Sequence, residues 1–241
     1  MERALTSSTV TVTAADGGVL SAYLAAPKTP TGPVVIVLQE IFGVNANIRA
    51  ITEGYAERGY IAIAPDLFWR LQAGVDLDPS DPASRATAMG LMQRFGTALA
   101  VEDVISAAAY ARDLPGASGK VGVVGYCLGG KLAYFLAARD GVDAAVSYYG
   151  TGVHTALDQA GAVRAPLLLH VAREDSLCPP EAQAAIREAF APLAHRVTVL
   201  EHPAVGHAFA RHGGPTYNKD AADLADDATL AFFREHLGQR P

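Results

Sequence analysis

Residues 119–138 read GKVGVVGYCLGGKLAYFLAA. A run of β-branched residues breaks on glycines and resumes as a helical pattern, which spells strand, tight turn and helix. Cys127 stands at the break. It reads as a bystander in a phosphate loop, as a nucleophile, or as a small core residue.

The phosphate-loop reading fails on one residue. Gly125, Gly130 and Lys131 satisfy G-x-x-x-x-G-K, but Leu132 follows where the magnesium-binding Ser or Thr belongs. Gly125 and Gly129 do not complete G-x-G-x-x-G either, so a dinucleotide fold is not indicated. The elbow pattern G-x-Nu-x-G, by contrast, is complete as Gly125-Tyr126-Cys127-Leu128-Gly129. A strand-to-helix turn that tight holds the nucleophile in strained backbone geometry, and β-carbons on the flanking residues would clash. It sets the thiol at a helix N-terminus, where the dipole favours an anion, and offers the Leu128 amide to a developing oxyanion. The core reading stays open beside it, because free cysteine is among the most buried residue types.

Working outward, the chain repeats strand then helix. VVIVLQE (34–40), YIAIAPDL (60–67), KVGVVGYC (120–127), DAAVSYYG (143–150) and PLLLHVARED (166–175) are apolar runs without alternation, as strands of a parallel sheet buried on both faces should be. Helical patterns occupy 46–58, 84–113 with a break near Gly96, 128–139 and 181–191. HRVTVLEHP adds a last strand, and DAADLADDATLAFFREHL closes the chain as an amphipathic helix. The start differs: TVTVTA alternates, turns at Asp16-Gly17-Gly18 and resumes as VLSAYLAAP, an antiparallel hairpin. These elements predict an α/β fold, a doubly wound, mostly parallel sheet with an N-terminal antiparallel hairpin, in a single domain over 1–241. In such sheets ligands bind beyond the carboxyl ends of the strands, which here are followed by Glu40, Asp66, Cys127, Tyr149, Asp175 and the segment around His207.

Composition narrows the function. With 241 residues, 50% hydrophobic and 18% charged, the chain can bury a full core. Its 25 acids against 19 bases, without a basic block, argue against a nucleic-acid partner and for small-molecule chemistry. MERALTSSTVTV contains no apolar signal core, and no stretch approaches the ~18 apolar residues of a membrane span, which predicts a cytoplasmic protein without a membrane partner. The two cysteines, Cys127 and Cys178, sit in no zinc-like spacing, so neither a metal site nor a disulfide framework is expected.

A nucleophile needs a base and an orienting acid. In elbow hydrolases the acid follows a later strand and the histidine comes last. Glu174 and Asp175 both follow LLLHVA, and spacing does not choose between them. His207, in VGHAFAR after the last strand, is the candidate base, with His202 at the end of that strand in reserve. His195 and His236 read as surface residues.

With those residues in view the chain resembles the dienelactone hydrolase (carboxymethylenebutenolidase) family of α/β hydrolases over nearly its whole length. The pieces that carry the resemblance are QEIFGVN, APDLF, GYCLGG, SYYG, REDSLCPP and GHAFAR. The resemblance implies Cys127 as nucleophile, Asp175 as acid and His207 as base, with an oxyanion hole from the amides of Leu128 and Ile41. It implies Glu40 as the group that takes the thiol proton when substrate binds. Arg85 and Arg211 would hold the substrate's carboxylate, a task suited to guanidinium forks, and Tyr149 and Phe42 would contact the substrate. It implies no metal and no organic cofactor. Met89 and Met92 stand where aromatic residues are familiar in the family, and Ala208 follows His207 where serine is familiar. Those changes leave Cys127, His207 and Asp175 untouched and bear on the substrate.

Cysteine itself points to an activated ester. The tetrahedral adduct expels either a thiolate, whose free pKa is about 8.5, or the substrate's oxygen. A simple alkoxide is far more basic and leaves poorly, whereas an enolate leaves well. The expected reaction is therefore opening of an enol lactone through an acyl-thioester, by a monomer or small homo-oligomer. A general carboxylester or thioester hydrolase is the alternative, and a thiol-sensing or ligand-binding protein the non-enzymatic one.

Overall fold

Strands and helices alternate in the order that the apolar runs predict. The computed structural model describes residues 5–238. Met1–Ala4, part of the stretch read for a targeting signal, lie outside the described residues. The strands are β1 (Leu5–Thr13), β2 (Val19–Pro27), β3 (Gly32–Leu38), β4 (Ile61–Pro65), β5 (Ala117–Tyr126), β6 (Ala144–Tyr148), β7 (Leu167–Ala172) and β8 (Val197–His202). The helices are α1 (Ala46–Glu57), α2 (Pro82–Arg94), α3 (Thr97–Arg112), α4 (Leu128–Ala137), α5 (Pro180–Phe190) and α6 (Lys219–Leu237). Strand order is β1-β2-β4-β3-β5-β6-β7-β8. Pairing is antiparallel for β1/β2 and β2/β4 and parallel for β3/β4, β6/β7 and β7/β8. This is the mostly parallel α/β sheet with an antiparallel start. The chain divides into two compact units, Met1–Val123 and Val124–Pro241, and β5 begins in the first and ends in the second.

In the first unit the hairpin turns where its glycines allow. Gly17 adopts φ 85°, and the Ala14 amide donates to the Gly18 carbonyl at 2.8 Å, which sets Thr13 opposite Val19. Along β1, Val12 is buried and its neighbours Thr11 and Thr13 are exposed, as an edge strand with one wet face requires. β3 and β4 show no such alternation, since Val34–Leu38 and Ile61–Ala64 are buried throughout. Each Val, Leu or Ile among them stabilises the fold by about 1.5–3 kcal/mol relative to exposure. The break near Gly96 is real: Asp81 caps α2 through the amides of Ala83 and Ser84, α2 ends at Arg94, and Gly96 is the N-cap of α3.

The second unit carries the elbow. β5 runs into Cys127 and α4 starts at Leu128. The sequence gives no sign of the 3-10 segment Val153–Ala162, which kinks at Ala156 and fills the path from β6 to β7. At the end of the chain α6 is capped by Asn218, whose side chain accepts from the Ala221 amide. Its buried residues Ala222, Ala225, Thr229 and Phe233 recur at helical spacing.

Candidate active site

Cys127 has φ 54° and ψ −109°, a conformation that costs a non-glycine residue about 1–3 kcal/mol unless its surroundings over-determine it. They do. The Cys127 amide donates to the Tyr148 carbonyl at 3.0 Å, and the Cys127 carbonyl accepts from the amides of Thr151 and Lys131, each at 3.1 Å. Glycine is required where backbones cross. A β-carbon on Gly125 would sit 2.0 Å from the Gly129 carbonyl oxygen, and one on Gly130 would sit 2.7 Å from the Tyr148 carbonyl oxygen. The elbow is thus fixed from both flanks. Leu128 opens α4, so its amide is among the first-turn donors that lack an intrahelical acceptor.

The geometry chooses between the paired candidates. Asp175 is 4% exposed and its Oδ2 lies 2.8 Å from His207 Nδ1. Its Oδ1 accepts the Leu177 amide at 2.8 Å, which fixes the carboxylate's orientation. Glu174 is exposed. His202 is also out of this constellation, because its Nε2 pairs with Nδ1 of His170 at 3.0 Å inside the core. Burial pulls the His207 pKa down, but the Asp175 hydrogen bond and the Cys127 sulfur outweigh it and push the pKa up to about 10. The Tyr149 ring stands edge-on to the His207 imidazole at 5.1 Å between centroids. Tyr149 itself has φ 38°, with its amide donating to the His170 carbonyl at 2.9 Å.

Two polar features of this unit were not legible in sequence. Thr151 Oγ1 lies 3.2 Å from Cys127 Sγ. His170 Nε2 lies 3.0 Å from Thr229 Oγ1, which in turn meets the Tyr148 hydroxyl at 2.8 Å, and that hydroxyl donates to Asp226 at 2.8 Å. A buried polar chain therefore ties α6 to the end of β6. Cys178 is buried as well, and burial with the nearby Asp175 charge pushes its thiol up to about 11, which disfavours its thiolate.

Arg211, partly exposed, donates its amide to the Ala208 carbonyl at 3.0 Å in the loop that carries His207. Ala208 has φ 62°. The other expected site residues belong to the first unit. Glu40 is 2% exposed just past β3, and Phe42 is buried two residues on with its carbonyl accepting the Leu77 amide at 3.0 Å. Gly43, φ 79°, lets this segment pass the Val75 carbonyl, which a β-carbon would meet at 1.8 Å. Ile41 lies between Glu40 and Phe42, half-buried. Arg85 is exposed on α2, and its Nε donates to the Pro79 carbonyl at 2.6 Å. Asp66, at the end of β4, accepts the amides of Phe68 and Gly74 and shapes its own loop.

Among the described residues no group of three or more His, Cys, Asp or Glu side chains is gathered to hold a metal ion. No helix among them is long and apolar enough to cross a membrane.

The comparisons with known proteins agree with one another. The dienelactone hydrolase family model matches residues 20–237. The carboxymethylenebutenolidase of Pseudomonas putida is 38% identical over 234 residues, covering 96% of this chain and 98% of that protein. Carboxymethylenebutenolidase 1 of Cupriavidus pinatubonensis is 36% identical over 224 residues, covering 93% and 95%. A solved structure of a Klebsiella pneumoniae protein matches with TM-score 0.84 and 27% identity, over 96% of this chain and 99% of that one. The dienelactone hydrolase of Anabaena variabilis, at 20% identity and TM-score 0.69 over 97% and 99%, shares the fold.

Proposed function

The chain belongs to the dienelactone hydrolase family and is a hydrolase of esters or lactones, and from that premise we propose that it opens an enol lactone through an acyl-thioester on Cys127. The observation that carries this reading is the strained, over-determined backbone of Cys127, in the same unit as the Asp175–His207 pair.

In this reading the Cys127 thiolate attacks the lactone carbonyl carbon, and the carbonyl electron pair moves onto oxygen, which the Leu128 amide stabilises. Collapse breaks the ring C–O bond. The enol oxygen leaves with the bonding pair, takes the Nε2 proton of His207, and the released enol ketonises. Water then attacks the thioester carbonyl while His207 removes its proton, the C–S bond breaks, and the thiolate is regenerated beside a keto acid. Asp175 holds the imidazole in one tautomer and stabilises its cation. The family resemblance adds Glu40 as acceptor of the thiol proton, Ile41 as a second oxyanion amide, Phe42 and Tyr149 as substrate contacts, and Arg85 and Arg211 as the hold on the substrate carboxylate. The relatives' name, carboxymethylenebutenolidase, supports a lactone of that kind.

A more general ester or thioester hydrolase is the second reading. It is favoured by the exposed Met89 and half-buried Met92 of α2, where the family commonly presents aromatic residues. Measuring kcat/KM for dienelactone isomers beside neutral p-nitrophenyl esters decides between them. A preference for the lactones supports the proposal; equal or better turnover of the neutral esters supports the general hydrolase.

A further inference from the structure

We infer that Thr151 is a catalytic residue whose hydroxyl donates to the Cys127 sulfur and favours its thiolate form. The inference rests on the reading of Cys127 as the nucleophile. Thr151 Oγ1 lies 3.2 Å from Cys127 Sγ, within hydrogen-bond reach of sulfur. The backbone places that hydroxyl in advance: the Thr151 amide donates to the Cys127 carbonyl at 3.1 Å, while the Cys127 amide donates to the Tyr148 carbonyl at 3.0 Å. The two residues are clamped together across the turn that follows β6.

His207 is another group near the sulfur. Its Nε2 is buried and has no hydrogen-bond partner of good geometry among the described residues, although the sulfur is near enough to help raise the imidazole's pKa. Thr151 supplies a hydrogen bond of good geometry at the sulfur. A thiolate can only accept, so once the thiol proton has left, the threonine O–H is the donor. A hydrogen bond to a charged acceptor is stronger than one to its neutral form, so the contact favours the thiolate. It also divides the labour: Thr151 steadies the sulfur, and the Nε2 proton of His207 stays available for the leaving oxygen.

The test is the rate of Cys127 alkylation by iodoacetamide as a function of pH, with the modified site assigned by peptide mass mapping so that Cys178 is counted separately. Thr151→Val keeps the side chain's shape and removes the hydroxyl, and Thr151→Ser keeps the hydroxyl and removes the methyl. We expect the midpoint of the alkylation profile to rise by about one pH unit in Thr151→Val and to stay within a few tenths of wild type in Thr151→Ser. Should Thr151→Val fail to fold, Thr151→Ala is read against Thr151→Ser in its place. An unchanged midpoint without the hydroxyl would overturn the inference. So would a lowered one, which would mean that the hydroxyl stabilises the neutral thiol, or an equal rise in Thr151→Ser, which would assign the effect to packing. Residual ester hydrolysis is measured on the same alkylated samples. Full turnover by alkylated wild type would remove the nucleophile role of Cys127 while leaving the comparison of midpoints readable.

Discussion

The Cys127 amide lies 3.0 Å from the Tyr148 carbonyl oxygen, so the proposed nucleophile hangs from the end of β6 as well as from its own strand. That contact exists because the residues around it are small. A β-carbon on Gly130 would meet the Tyr148 oxygen at 2.7 Å and the Gly150 α-carbon at 2.8 Å, and neither is a flexible side-chain end that could swing away.

Gly130→Ala is therefore expected to cost about 1–3 kcal/mol of stability and to lower kcat, because relief of the clash moves Cys127. Gly90→Ala is its control. Gly90 lies inside α2 with nothing within 4 Å of a built β-carbon, so alanine should stabilise the protein by about 0.5–1 kcal/mol. Thermal unfolding and steady-state rates of both variants check the pair. A harmless Gly130→Ala would mean that the elbow is not held by this packing.

Asp175→Asn keeps the shape of the acid and removes its charge. Without the carboxylate the imidazole loses the partner that fixes its tautomer and supports its cation, so kcat should fall by roughly 10³- to 10⁴-fold with the fold intact. The same change should bring the His207 pKa down from its value of about 10, which an NMR titration of the ring reads directly. Glu174→Gln, at an exposed neighbour, should change neither.

Two sets of histidines give stability a sign that depends on pH. His170 and His202 are buried as a pair, and burial holds both below the ordinary value of 6.5, in His170 with help from the charge of its partner. The unfolded chain therefore takes up protons there before the folded one does. Stability should fall as pH drops below 6.5, by up to about 1.4 kcal/mol per pH unit for each such histidine. His207 is the opposite case: raised to about 10, it contributes stability that is complete below 6.5 and is lost progressively as pH climbs from 6.5 to about 10. Urea titrations at pH 5, 6 and 7 should show a shallower acid loss in His170→Asn than in wild type. Equal slopes would mean that the pair does not titrate on unfolding.

If Arg85 and Arg211 hold a substrate carboxylate, Arg85→Met and Arg211→Met should each lower kcat/KM for the anionic lactone by roughly 10- to 150-fold. A neutral ester of similar size should hardly respond. Equal losses on both substrates would assign the arginines to the fold, and equal indifference to the surface; either would favour the general hydrolase.

Sequence resolved the parts of this fold that repeat locally. β3 and β4 were legible because central parallel strands are apolar on both faces, the hairpin because its first strand alternates, and the elbow because its glycines have no substitute where backbones cross. Glu174 and Asp175, adjacent in sequence, could not be told apart by spacing. What separates them is three-dimensional: one is exposed, and the other is turned inward onto His207 and the Leu177 amide. His202 had the position of a base but is spent on His170, a partner 32 residues away. Thr151 carried no local signal, since its approach to Cys127 depends on how far the turn after β6 is drawn in.

The central claim is covalent catalysis by the Cys127 thiolate, and the most direct test is the turnover of Cys127→Ser on dienelactone. Serine is nearly isosteric, so circular dichroism should show the fold intact. A site arranged around a thiolate should then lose roughly 10³-fold or more in kcat. A rate near that of wild type would contradict the claim.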